Sequence, residues 1–190
     1  VRGFSREQGT SLLITSQNGE VAATWRDLGV EGDWASVLVS MHGYNEQSGT
    51  RTFLRRFLLN DGSGRRVTEH ASHAELLEAV ANDRGGVGVV SLSRVRPDRV
   101  RTVPLAGADG RLFSVNDQQA LADGRYPLVR SLYLIVPLAD DGSTDPLRAE
   151  FVKYVLSREG QQDVTKDGFL PMNRSDVLMQ QDRLGWNIEM

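Results

Sequence analysis

The sequence predicts an α/β fold, and two patterns carry that expectation. Apolar residues recur at helical spacing in three stretches, and turn-forming residues that include glycine close each stretch. Short β-branched runs lie beside these stretches, and the order of helix, glycine turn and buried strand is typical of α/β domains. With 190 residues, 39% of them hydrophobic, the chain can form one ordinary domain or two small lobes.

The first third of the chain contains two predicted strands and one predicted helix. The apolar residues 12–14 and Val37–Met41 are both short runs that suit buried strands. A polar loop that includes His42 follows. After Thr50, apolar residues recur every three or four positions, which predicts a helix with one apolar face. Residues 60–64, a run of Asn, Asp, Gly and Ser, predict the turn that ends it.

Two later helices have clear start signals. Ser72 is followed three residues later by Glu75, a capping-box pattern in front of an apolar stripe. Asp145 is followed by Pro146, and these residues are preferred at the N-cap and at the first helical position. A shorter helix is predicted over residues 161–166.

The remaining segments predict strands and hairpins. Val87–Leu92 is expected to be a strand that follows the capped helix. Residues 94–124 are rich in Arg, Asp, Gly and Pro, and their short apolar islands favour β-hairpins and loops. Tyr126–Leu138 is the longest strand-like run. The segment from Asn173 onwards is polar, with a weak amphipathic stripe.

Composition excludes several classes of function. The chain has 22 basic and 25 acidic residues and no dense run of Lys or Arg, so binding to nucleic acid is disfavoured. Because it has no cysteine, disulfides, zinc–thiolate sites and thiol nucleophiles are excluded. No apolar run approaches the roughly 20 residues that span a bilayer. The sequence begins at Val1 and not at Met, so we expect a processed, trimmed or partial chain.

Ser48-Gly49-Thr50 is the sharpest local feature, because it lies between a predicted strand and a predicted helix. The start of a helix presents unpaired N–H groups and a partial positive charge, which attract anions. Glycine allows close approach to the backbone, and the two hydroxyls can donate further hydrogen bonds. Taken alone, the residues fit equally well an ordinary N-cap, which is the commoner situation.

Glu46 precedes this motif by two residues and also has two interpretations. It is either a solvated loop carboxylate or a group that faces a bound anion. In the second case it accepts a hydrogen bond only from a protonated ligand and repels one without a proton. Such a group separates hydrogen phosphate from sulfate.

The histidines and serines do not predict catalysis or metal binding. His70 and His73 have a spacing compatible with one helical face, but no carboxylate-rich third ligand is evident, so surface roles are expected. His42, in the predicted loop, is a candidate to line the same cleft as Ser48. No Gly-x-Ser-x-Gly elbow is present, so we expect no catalytic residue, no metal and no cofactor.

Five segments together resemble the phosphate-binding proteins of high-affinity phosphate ABC transporters, a branch of the type 2 periplasmic binding proteins. They occur in that family's order over about 150 residues, and agreement of several weak signals is more informative than any one of them. The segments are Thr24–Gly29, Ser48–Thr50, Asn82–Ser93, Tyr126–Leu134 and Phe151–Met172.

This resemblance implies an α/β, type 2 periplasmic-binding-protein-like fold with one lobe complete and the second only partly present. Residues 1–20 are then a lead-in or a remnant of the first lobe, 21–124 are the second lobe, and 125–190 are the returning segment of the first lobe. The family's N-terminal segment is apparently missing. A fragment of this kind would expose apolar sheet surface, so it is expected to gain from forming a homodimer.

The resemblance also implies a function: capture of inorganic phosphate, or a related oxyanion, outside the cytoplasm. The expected location is periplasmic or extracellular, with or without a membrane anchor, and the expected partner is the membrane permease of an ABC transporter. The alternative is a structural or interaction module that keeps the fold without the ligand, and a phosphatase-like enzyme has little support. The candidate ligand-binding residues are Ser48, Gly49, Thr50, Glu46, Tyr44 and Arg51.

Two of these positions depart from the family pattern. Relatives usually carry a small polar residue or Asp at position 46, where Glu46 adds a methylene. Relatives commonly carry Arg four residues before the Ser, where this chain has Tyr44. A phenol donates one hydrogen bond but lacks the charge and the forked geometry of a guanidinium. Arg51, early in the following helix, is the candidate to compensate.

Overall fold

Strand β1 (Ser40–Gly43) is the middle strand of a three-stranded parallel sheet. It pairs with β2 (Thr68–Glu69) on one side and with β3 (Gly86–Gly88) on the other. The computed structural model describes residues 3–13, 24–59 and 67–186 and divides into two units, Val1–Val129 and Arg130–Met190. This sheet belongs to the first unit. The loops that follow the carboxyl ends of its strands therefore belong to that unit as well.

Two helices connect the three parallel strands. Helix α2 (Gly49–Leu59) follows β1, and helix α3 (His73–Asn82) connects β2 to β3, as parallel strands require a crossover. The capping box predicted for α3 is present, because Glu75 N–H donates to Ser72 Oγ and Ala71 N–H donates to the Glu75 carboxylate. Both predicted helices are therefore confirmed.

The core of the first unit packs against this sheet. Its buried members are Phe4, Leu12, Trp25, Leu28, Val39, Met41 and Leu54. Helix α1 (Arg6–Leu13) precedes the sheet, and a hairpin of β4 (Leu105–Ala106) and β5 (Leu112–Phe113) lies in the region where the composition predicted one. Helix α4 (Gln118–Ala122) ends this part of the unit.

The described residues of the second unit form three helices, which follow a segment without regular secondary structure. They are α5 (Pro146–Leu156), α6 (Arg158–Lys166) and α7 (Arg174–Leu184). Asp145 caps α5 by accepting from the N–H groups of Leu147 and Arg148, which confirms the predicted start. Val152, Leu156 and Val177 form the small core that holds α5 and α7 together.

Several predicted strands are wrong in position or in kind. Leu12 and Leu13 end α1 and do not form a strand, because Leu12 is buried on the helix face that meets the core. The strand expected at Val37–Met41 begins only at Ser40 and runs on through His42. The strand expected at Val87–Leu92 ends at Gly88, and Leu92 starts a short 3-10 turn. The predicted turn at 60–64, like Ile14, falls outside the described residues.

Tyr126–Leu138 is the largest error, since none of its residues belongs to a strand. An apolar run in the sequence does not show whether a second strand lies beside it. A strand forms only when a neighbouring strand pairs with its backbone N–H and C=O groups. The division between the units falls after Val129, within this run. In the described ranges, no helix has both the length and the apolar character needed to cross a bilayer.

A chain of polar side chains runs from Asp83 through His42 to His70. His42 is buried in β1, and its Nε2 lies 3.0 Å from Asp83 Oδ2 while its Nδ1 lies 3.0 Å from His70 Nε2. A carboxylate only accepts, so neutral His42 donates from Nε2 and accepts at Nδ1. These side chains link β1 to the segments that follow β2 and α3.

The carboxyl of Asp83 is held in its ionised form by this arrangement. Burial acts to raise its pKa, but hydrogen bonds from His42 and from the backbone N–H of Gly85 outweigh burial and lower the pKa below its ordinary value. A lowered folded-state pKa contributes stability above the ordinary Asp pKa of about 4, and that stability is lost as the pH falls through the folded value.

Replacement of Asp83 by Asn tests this contribution. We expect Asp83→Asn to lower the free energy of unfolding at pH 7 by about 1–3 kcal/mol, the usual cost of removing a charged hydrogen-bond partner. The difference from the wild type should shrink below about pH 4, where the unfolded carboxyl is protonated. Urea unfolding at pH 7 and at about pH 3 measures both effects. A difference that grows towards acid pH would contradict the assignment.

Gly85, directly before β3, lies against the backbone and leaves no room for a side chain. A Cβ added there would overlap the carbonyl oxygen of Leu38, and the Gly85 carbonyl also accepts from Ser40 N–H. We therefore expect Gly85→Ala to lower the free energy of unfolding by about 1–3 kcal/mol, as overpacking does. Gly9→Ala is the control, because nothing lies within 4 Å of its added Cβ in α1. It should be neutral or stabilising by up to about 1 kcal/mol, and equal losses in both variants would refute the packing argument.

Candidate functional site

The candidate site lies where β1 ends and α2 begins. The backbone passes through a loop from Tyr44 to Ser48 and enters α2 at Gly49. Ser48 N–H donates to the carbonyl of Asn45 at 3.1 Å, and Ser48 Oγ accepts from Arg51 N–H at 3.1 Å. Ser48 is therefore the N-cap of α2, which was one of the two interpretations of this residue.

The first turn of α2 keeps free donors. Within the described parts of the chain, the N–H groups of Gly49 and Thr50 and the Thr50 hydroxyl make no hydrogen bond. The Ser48 oxygen accepts, so its own O–H remains able to donate. Two amides and two hydroxyls at the positive end of an 11-residue helix can hold an oxyanion through neutral dipoles alone.

Arg51 turns back towards the loop and meets Glu46. Its Nη2 lies 3.5 Å from Glu46 Oε1, with 20% of the Arg51 side chain exposed and 75% of the Glu46 side chain exposed. The other terminal nitrogen, Nη1, is buried without a hydrogen-bond partner. An ion pair this exposed contributes little to stability, so both groups can change partners at small cost. Their charges lie beside the first turn of α2.

Tyr44 reaches across to the start of α3. Its phenolic oxygen shares a short hydrogen bond with His73 Nδ1, and the two rings meet edge-on at 88° with centroids 5.4 Å apart. Burial raises the pKa of Tyr44, so the phenol stays protonated at neutral pH. One hydrogen lies between the two atoms. The phenolic proton is available to a ligand only when His73 is the donor.

The histidines occupy other places than the sequence predicted. His42 is part of β1 and not of the loop, and its ring nitrogens are bonded to His70 and Asp83, so it does not line a cleft with Ser48. His70 precedes α3 while His73 begins it, so they share no helical face. In the described part of the chain, no three His, Asp or Glu side chains are arranged to hold a metal ion.

Asp83 is the residue that sequence reasoning missed. It lies 41 positions after His42, and no local pattern connects the two. The available signal was topological: β1 and β3 are neighbours in the sheet, so the turn that leads into β3 approaches the side chains of β1. That neighbourhood follows only from the pairing of the strands.

Comparison with known proteins identifies relatives. The chain is 39% identical over 176 residues to the phosphate-binding protein PstS of Pseudomonas aeruginosa, a match that covers 90% of this chain and 54% of that protein. The chain thus spans about half the length of this curated relative. No protein-family model matches the chain.

Solved structures show the same fold. A possible phosphate-binding protein from Planctomyces limnophilus superposes with a TM-score of 0.67 and 18% identity, covering 97% of this chain and 64% of that one. A phosphate ABC transporter substrate-binding protein from Clostridium perfringens, solved with bound phosphate, gives a TM-score of 0.61 and 18% identity, covering 91% and 64%. The α/β fold is therefore that of these proteins, with part of their length absent from the chain. The chain is therefore similar in sequence to the phosphate-binding protein PstS and shares the fold of these solved structures.

Proposed function

We propose that this chain is a non-enzymatic receptor that captures phosphate, or a closely related oxyanion, at the N-terminus of α2. The observation that carries the proposal is the set of free donors on Ser48, Gly49 and Thr50 in a homologue of phosphate-binding proteins. An anion held by oriented amides needs no basic protein surface, which suits a chain of net charge -3.

The residues around the first turn of α2 then have different roles in binding the anion. Ser48, Gly49 and Thr50 donate to the oxygens of the anion. Arg51 supplies the positive charge that Tyr44 does not, since its buried Nη1 has a donor to spare. Glu46 faces a protonated oxygen, because a carboxylate accepts a hydrogen bond from hydrogen phosphate and repels sulfate.

The proposal also covers where the protein acts and which protein it delivers its ligand to. A receptor of this kind works outside the cytoplasm, in the periplasm or at the cell surface, and delivers its ligand to the permease of an ABC transporter. The support is the homology to PstS and the fold shared with an ABC transporter substrate-binding protein. Because the chain spans about half of its relatives, we propose that it supplies one wall of the complete site.

One observation favours a second candidate function, a structural or interaction module. Tyr44 is hydrogen-bonded to His73, and Arg51 is paired with Glu46. Two of the candidate ligand-binding residues therefore already have partners within the protein. The second unit also exposes a run of large apolar residues, which fits the expectation of a homodimer. In that case the α2 N-terminus binds no anion.

Thermal unfolding with millimolar phosphate, and with sulfate as the control, separates the two candidates. A ligand bound only by the folded state stabilises it, by about 2.7 kcal/mol at a hundredfold excess over the dissociation constant. We expect phosphate to raise the unfolding midpoint and sulfate to leave it unchanged. Thr50→Ala should weaken phosphate binding by about 1–3 kcal/mol, because it leaves a ligand oxygen unpaired.

The matched control is Thr52→Ala, two positions further along the same helix and so directed elsewhere. It should bind phosphate as the wild type does. If phosphate does not change the midpoint of the wild type, this chain does not bind phosphate by itself, and the receptor proposal then fails unless the full-length protein binds it. If Thr50→Ala and Thr52→Ala bind alike, the first turn of α2 is not the site.

Replacement of Glu46 by Gln tests the discrimination between anions. The amide can donate as well as accept, so Glu46→Gln should bind sulfate, which the wild type rejects. Glu31→Gln, an exposed carboxylate elsewhere in the first unit, is the control and should leave sulfate unbound. Calorimetric titration at pH 7.5 measures both, because inorganic phosphate still carries at least one proton at that pH and sulfate carries none. Sulfate binding that is equally absent from wild type and Glu46→Gln would remove Glu46 from the mechanism.

A further inference from the structure

Helices α2 and α3 cover opposite faces of the three-stranded sheet. Met41 of β1 packs in the core with Leu54 of α2, whereas the next residue, His42, bonds to Asp83 at the C-cap of α3. Successive side chains of a strand point to opposite faces, so the two helices lie on different sides. The strand order β2-β1-β3 accounts for this, because right-handed crossovers from β1 to β2 and from β2 to β3 run in opposite directions.

The carboxyl ends of β1 and β2 therefore form a topological switch point. The two strands are parallel neighbours, so the chain leaves both at the same edge of the sheet. From that edge one connection enters α2 at Gly49 and the other enters α3 at His73. Open α/β sheets bind ligands where adjacent strands send their connections to opposite faces. The starts of α2 and α3 are the two sides of this switch point.

Tyr44 and His73 connect these two sides. Tyr44 directly follows β1, and its phenolic oxygen is hydrogen-bonded to Nδ1 of His73, the first residue of α3. The two rings meet edge-on at 88°. Burial raises the pKa of Tyr44, so the phenol keeps its proton at neutral pH. A side chain from the loop before α2 is thus held against the start of α3.

The hydrogen between the phenolic oxygen and Nδ1 has two arrangements. If the phenol donates, its proton is used within the protein. If Nδ1–H donates, the phenolic oxygen accepts, and the phenolic O–H is free to donate to another group. An anion has only acceptor oxygens on its charged side, so it gains a hydrogen bond from the second arrangement alone. A ligand favours the state that it binds better, so an anion beside the phenol would favour donation by His73.

We infer that His73 is a positioning residue for the anion at α2: its Nδ1–H donates to Tyr44, and Tyr44 donates its phenolic proton to the anion. This inference rests on the proposed capture of phosphate by Ser48-Gly49-Thr50. It extends that site from the start of α2 to the start of α3. Because His73 acts through Tyr44, its contribution requires the phenol.

Replacement of His73 tests this role in variants that should fold. The His73 side chain is exposed, and the start of α3 is held by the capping box of Ser72 and Glu75. His73→Leu removes the donor to Tyr44. His73→Asn is the conservative variant, because its amide nitrogen is bonded to Cγ, as Nδ1 is in histidine, and it can donate to the phenol. Circular dichroism verifies that both variants fold.

Calorimetric titration with inorganic phosphate at neutral pH measures the affinity, in this chain or, if the chain alone does not bind, in the full-length protein. We expect His73→Leu to weaken binding about tenfold, the loss of one hydrogen bond to a charged ligand, and His73→Asn to stay within about twofold of the wild type. In a Tyr44→Phe background, His73→Leu should change the affinity by less than about twofold, because residues that act as a unit are not additive.

The outcomes separate this inference from the proposed function. If the wild type binds phosphate and His73→Leu binds it equally well, the inference is wrong while phosphate capture stands. The same conclusion follows if His73→Asn loses as much affinity as His73→Leu, or if His73→Leu weakens binding equally with and without Tyr44→Phe. If the wild type binds no phosphate, either as this chain or at full length, phosphate capture fails and the inference fails with it.

Discussion

The first unit depends on the requirement that a buried imidazole hydrogen-bond at both ring nitrogens. His42 lies in the middle strand of the sheet, where water does not satisfy it, so Asp83 and His70 must lie at fixed positions around it. Asp83 is bound in turn by Gly85 N–H, and His70 N–H donates to the carbonyl of Gly43. These bonds hold the ends of the three strands in register. The loop that begins at Tyr44 starts from this rigid edge.

A rigid strand end and a helix start explain why a candidate anion site arises at this point. The backbone leaves β1, turns within five residues, and enters α2 with Ser48 as its cap. The cap satisfies one amide of the first turn and leaves those of Gly49 and Thr50 free. Because these amides are already oriented in the free protein, little entropy is lost when they bind a ligand. The side chains of Tyr44 and Arg51 are less ready to bind a ligand, because each already has a partner within the protein.

The second unit is organised by a different constraint. Its helices bury one small core, but the segment before them belongs to no strand, and Tyr133 and Ile135 in it are 86% and 90% exposed. Large apolar side chains this exposed commonly mark a surface that other protein covers. The chain spans about half the length of its curated relative. The exposed segment lies in the second unit and the candidate anion site lies in the first.

Local signals in the sequence were sufficient wherever a few neighbouring residues determine the structure. The capping box of Ser72 and Glu75, the Asp145–Pro146 helix start and the Ser48 cap all involve partners within four positions. The position of Ser48-Gly49-Thr50 between a strand and a helix was predicted from the same kind of local signal. The family resemblance was also readable, because it depends on the order of short motifs along the chain.

Only the tertiary structure decided the features whose partners are distant in sequence. Strands were misplaced at Leu12, at Val37 and throughout Tyr126–Leu138, because an apolar run does not show whether a helix face or another strand will cover it. Asp83 and His42 meet across 41 positions, and His73 meets Tyr44 across 29. The sequence alone determined where several helices start. The folded chain determined which polar groups are engaged and which remain free, because hydrogen bonding between distant residues depends on how the strands pair.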